Sequence, residues 1–140
     1  MNPHAQPNTN FDRIFTQCRR IAVVGLSPNP ARPSHYVSRY LQLQGYQLIP
    51  VNPGHRLLLG EVSYPELSAI PEALDWVLCF RRSEEMPALA SVAIAKQARC
   101  FWMQVGIQHD TARSSCEQAG VWVVENRCAM VEHQRWQAGR

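Results

Sequence analysis

The chain has 140 residues, 46% of them hydrophobic and 18% charged, with a net charge of +3. That size and apolar content suit one domain with its own core, and no apolar run approaches the ~20 residues needed to span a bilayer. The opening MNPHAQPNTN lacks the apolar centre of a secretion signal, so a cytoplasmic location away from membranes is expected.

Residues 1–9 are rich in proline, asparagine and other polar groups and read as a mobile tail, which leaves 10–140 as the domain. Phe11, Ile14, Phe15 and Cys18 then recur at helical spacing, with Thr9 or Asn10 placed to cap a short helix. Ile21 to Val24 form a continuous apolar run of the kind buried on both faces of a parallel sheet, and Gly25 closes it where the chain must turn. A helix opens at Pro33 and Ser34, where proline's missing N–H costs nothing, carries Val37, Tyr40 and Leu41 inward, and stops at Gly45. The second strand, LIPV at 48–51, ends in the turn Asn52-Pro53-Gly54, and Pro50 is expected where pairing stops. Between there and residue 75, Gly60 and Pro65 leave room for only a short helix.

Residues 76–80 (WVLCF) make the third strand, after which Ser83 is placed to cap a helix with Glu84 and Glu85 in its first turn and Leu89, Val92 and Ala93 facing inward. A fourth strand at 101–103 ends in Gln104, Val105 and Gly106. Asp110 or Thr111 starts another helix, VWVV at 121–124 is the fifth strand, and a last helix begins near Ala129. This alternation predicts an α/β class fold: a single domain whose five-stranded parallel sheet, in order 3-2-1-4-5, has helices on both faces. In such sheets ligands bind beyond the carboxyl ends of the strands where the order reverses, here between strands one and four. Gly25, Leu26 and Ser34 on one side, and Gln104 and Gly106 on the other, are therefore candidate contacts.

A helix entrance just after a glycine turn offers unpaired N–H groups and partial positive charge, for which phosphate is the natural occupant. The loop reads G-L-S-P-N-P rather than G-x-G-x-x-G, and Asn52 stands where a dinucleotide site would carry an acid, with His55 and Arg56 close behind. A phosphorylated ribose fits better than NAD, which leaves NADP and coenzyme A. The basic residues are scattered, unlike a nucleic-acid groove. Cys18, Cys79, Cys100, Cys116 and Cys128 form no C-x-x-C pair, and no two of His35, His55, His109 and His133 have ligand spacing, so neither a disulfide frame nor a metal is expected.

The segments VVGLSPNPARPSHYV, IPVNPG, LGE followed by YPEL, FRRSE, WMQVGI and NRC with its nearby EH, taken together in this order, resemble the stand-alone CoA-binding domain proteins of the YccU type. Those are related to the nucleotide-binding half of the succinyl-CoA synthetase alpha subunit. The resemblance covers about Ile21 to Arg135 and implies a Rossmann-like fold that binds coenzyme A or an acyl-CoA. It implicates Ser27, Pro28 and Asn29 in phosphate contact with Arg32 beside them, and Val51, Asn52 and Pro53 at the adenosine end near His55 or Arg56. Phe80, Arg81, Arg82 and Ser83 form the third contact segment.

Other readings stand beside these. Ser27 and Asn29 are also the residue types that bond their own loop, and Arg32 is also a solvated charge. One of Arg81 and Arg82 is expected to face the crevice while the other pairs with Glu84 or Glu85. Cys128 either packs or faces the thiol arm of a bound CoA. No acid–base pair is evident, so the chain reads as a non-catalytic binder. An NADP-dependent oxidoreductase and a partner-binding module with a vestigial nucleotide site are the alternatives.

Overall fold

The order of elements follows the alternating sequence pattern: α1 (Gln6–Gln17), β1 (Arg20–Val24), α2 (Pro33–Leu43), β2 (Gln47–Val51), β3 (Leu57–Leu58), β4 (Glu61–Val62), β5 (Trp76–Cys79), α3 (Met86–Ala95), β6 (Cys100–Met103), α4 (Asp110–Gln118), β7 (Trp122–Val124) and α5 (Ala129–Ala138). They come from a computed structural model that describes residues 6–140, with side chains from Asn10 onward. The expected tail thus falls partly outside the described residues, and its residues 6–9 belong to the first turns of α1.

Five strands form one parallel sheet in the order β2-β1-β5-β6-β7. In terms of the five predicted strands this is 2-1-3-4-5, not 3-2-1-4-5, and the order reverses between the first and third strands. The burial explains the correction. Trp76, Val77, Leu78 and Cys79 are all fully buried, as a strand without a polar residue must be, and only an interior position flanked by β1 and β6 provides that. Strand β2 takes the edge instead. Pro50 pairs in register with Val23 inside β2 rather than at its end, and its carbonyl accepts the Tyr64 N–H on the outer side. Its N atom faces the same outer side, where no ladder donor is required.

To reach β5 from β2 the chain crosses β1. It does so through a small antiparallel hairpin, β3–β4, which the turn residues Gly60 and Pro65 had not suggested, and a 3-10 turn at Leu67–Ala69. This crossing buries Leu67, Ile70 and Leu74 with Ala22, Val24, Val77 and the inner faces of α3 and α4. The inward residues of α3 are Met86, Ala90 and Ala93, with Leu89 and Val92 only partly covered. On the opposite face α1, α2 and α5 cover Ile21, Val23 and Leu78. Helices therefore lie on both faces, as expected.

Aromatic rings fill that second layer. Phe15 meets Trp76, Trp102, His133 and Trp136 with ring centroids 5.1 to 5.9 Å apart. His133 is buried, and its Nδ1 lies 2.7 Å from the Tyr40 hydroxyl. Burial, followed by the nearby Arg19 and Arg140 cations, holds its pKa below the usual histidine value. The unfolded chain therefore takes this proton first as pH falls, so the stability contributed by neutral His133 is complete at pH 7.5 and is lost progressively below about pH 6.5. Urea unfolding between pH 7.5 and 5.5 should show this decline, with a shallower slope in His133→Gln. Identical slopes would remove His133 as its source.

Candidate functional site

The loop after β1 is built by short polar side chains acting on their own backbone. Gly25 has φ +90°, and a Cβ there would stand 2.9 Å from the Phe80 carbonyl oxygen, so the two strand-end loops touch where only glycine leaves room. Ser34 Oγ accepts the Ser27 N–H at 2.9 Å, Ser27 Oγ accepts the Asn29 N–H at 3.1 Å, and Asn29 Oδ1 accepts the Ala31 N–H at 3.0 Å. His35 Nδ1–H donates to the Ser27 carbonyl at 2.9 Å. The loop-bonding reading of Ser27 and Asn29 is thus realised: their oxygens shape the loop. Leu26 is fully buried in the core beneath it.

Asn52 braces this loop from the next strand. Its Nδ2 donates to the Leu26 carbonyl at 2.8 Å while its Oδ1 accepts the Gly54 N–H at 2.8 Å, which uses both ends of the amide to hold two turns together. Gln104, 4% exposed, does the same at the far side: Oε1 accepts the Ala129 N–H at 2.7 Å and so fixes the start of α5. Of the arginine pair, Arg81 binds Glu85 at 3.1 Å, whereas Arg82 is exposed with no acidic partner among the described residues. Ser83 does not cap α3. A 3-10 turn at Ser83–Glu85 intervenes, and its Oγ accepts the Gln108 N–H at 3.1 Å. Gly106, at φ +84°, donates its N–H to Asn126 Oδ1 at 2.7 Å.

A cleft of about 770 Å³ opens beyond the strand ends. Six of the expected contacts line it: Gly25, Ser27, Arg32, Ser34, Phe80 and Gln104. Pro28, Asn29, Val51, Asn52, Pro53, Arg81, Arg82, Ser83 and Gly106 lie outside its wall, with Pro28, Asn29 and Pro53 on the surface nearby and Val51 in the core. Of its other wall, sequence reasoning had placed Cys128 at the crevice and Val105 in the turn beside it, and missed Tyr36, Val37, Ile107, Met130 and Val131. Tyr36 and Val37 come from the first turns of α2, Val105 and Ile107 from the loop after β6, and Cys128, Met130 and Val131 from the start of α5. Two helix entrances therefore face one cleft. Among the described residues the N–H groups of Ser34, Met130 and Val131 have no hydrogen-bond partner, the usual state of first-turn donors. The wall contains one cation, Arg32, and no carboxylate.

The cysteines separate clearly. Cys18, Cys79, Cys100 and Cys116 are buried, and burial pushes the Cys18 thiol up to about 12 and that of Cys116 up to about 11. Cys128 alone is partly exposed, and it stands on the cleft.

This architecture has relatives. The sequence model of the CoA binding domain matches residues 19–134. The chain belongs to that family. It is 39% identical over 120 residues to the uncharacterized protein YneT of Bacillus subtilis (strain 168), covering 86% of this chain and 89% of YneT. Among solved structures, cell-free ID.343 from Thermus thermophilus is 35% identical with a TM-score of 0.86, covering 96% of this chain and 98% of its own. PH1109 protein redesigned for binding is 33% identical with a TM-score of 0.89, covering 95% of this chain and 94% of its own.

Proposed function

We propose that the chain binds coenzyme A or an acyl-CoA in this cleft and holds it without transforming it. The observation that carries the reading is the cleft wall itself, where two helix entrances and the Arg32 guanidinium converge with no opposing carboxylate. Unpaired first-turn N–H groups and a free guanidinium suit a diphosphate, and their attraction is strongest where no acid competes. The residues support such a ligand without supplying a reaction. Among the described residues the wall has no histidine or carboxylate to move a proton, and Ser27 and Ser34 spend their oxygens on the loop.

Equilibrium titration with CoA, dephospho-CoA, NADPH and NADH tests the reading. CoA should bind best and dephospho-CoA more weakly, because Arg82, His55 and Arg56 offer exposed cationic or polar groups near the strand-end turns. Preference for NADPH would overturn the assignment, and silence from all four would favour a module that binds only other proteins. Arg32→Ala should weaken CoA binding by about 1.5 to 3 kcal/mol, the worth of a hydrogen bond to a charged group. An unchanged dissociation constant would remove Arg32 from the phosphate contact.

A further inference from the structure

Resting on the CoA reading, we propose that the cleft is built for acyl thioesters of coenzyme A rather than the free thiol, with the acyl chain running past Val105, Cys128 and Val131 into a groove along β7. The cleft is graded from one end to the other. Gly25, Ser27, Arg32 and Ser34 make a polar end, while Val105, Ile107, Met130 and Val131 make an apolar one. Val105 is 64% exposed and Tyr36 is 43% exposed, and these are two of the five large hydrophobic side chains that stand in solvent among the described residues. Both lie on this one cleft. Exposed apolar side chains are unremarkable singly, but two on one cleft, Tyr36 from α2 and Val105 from the loop after β6, mark a surface meant to be covered.

The apolar end does not close. Val105, Cys128 and Val131 also line a second groove of about 1170 Å³ that continues along β7 over Val121, Val123 and Val124. Cleft and groove thus adjoin at Val105, Cys128 and Val131. The pantetheine arm of free CoA ends in a thiol and leaves that continuation empty, whereas a thioester carries an apolar chain on the same atom and fills it. Arg113, Arg127 and Arg135 line the groove together with Glu117, Glu125 and Glu132 and pair with them, so the chain is expected to follow Val105, Val123 and Val131 past these neutralised pairs.

Binding of CoA, acetyl-CoA and hexanoyl-CoA to the full chain tests this. Full burial of a methylene gives roughly fourfold in affinity, and an open groove about half that free energy, so hexanoyl-CoA should bind about fifteenfold more tightly than acetyl-CoA. Equal affinities for the two thioesters, with CoA also bound, would overturn the inference and leave the CoA reading intact. Failure of all three to bind would remove both. Val105→Asp places a charge where cleft and groove adjoin, on an exposed loop where folding tolerates it, and should collapse the hexanoyl-to-acetyl ratio to below about threefold. A ratio equal to that of the unsubstituted chain would show that the acyl chain lies elsewhere and would overturn the route.

Discussion

Phe15→Ala should destabilise the chain by about 3 to 5 kcal/mol, measured as a shift in the midpoint of urea unfolding at constant slope. Phe15 is fully buried, and its ring is the hub where α1 and α5 meet the sheet through Trp76, Trp102, His133 and Trp136. Its carbonyl also accepts the Tyr46 hydroxyl at 2.7 Å, which ties the end of α1 to the start of β2. Four large rings around one small side chain cannot all close the gap, so a cavity remains and its cost adds to the lost transfer free energy. A loss under 1 kcal/mol would mean that α1 contributes little to the fold.

Gly25→Ala is expected to damage both stability and binding. The residue has φ +90°, which an alanine adopts only with strain, and the added Cβ would lie 2.9 Å from the Phe80 carbonyl and 3.0 Å from Arg81 Cδ. Arg81 can move, but the carbonyl belongs to the end of a buried strand, where the Phe80 N–H donates to the Val24 carbonyl at 2.9 Å. About 2 to 4 kcal/mol of stability should be lost, from backbone strain together with the overpacked contact. Because Gly25 and Phe80 both line the cleft, CoA affinity should fall at least tenfold at a temperature where the variant remains folded. Native-like affinity in a folded variant would show that the contact between these loops does not shape the ligand site.

The fold class was legible because short apolar runs and amphipathic helices alternate, and the local pattern is sufficient for that. Strand boundaries at β1, β5, β6 and β7 came within a residue of the structure for the same reason. The sheet order was not read correctly, although WVLC held the clue: four apolar residues without a polar one belong inside a sheet, and the proline in LIPV belongs at its edge. The β3–β4 hairpin escaped because its strands are two residues each, too short to show a period.

By itself the sequence determined the glycine turn at Gly25, the helix entrance at Pro33 and the family, since these reside in contiguous residues whose conformation is local. Only the tertiary structure decided which groups share a cleft. It turned Asn52 and Gln104 into braces and brought the start of α5 opposite α2, with Val105 and Val131 on the same cleft. The physical reason is that a side chain's partners depend on which strands are neighbours, and that neighbourhood is set by burial of Trp76–Cys79 across the whole sheet, not by any residue near the site.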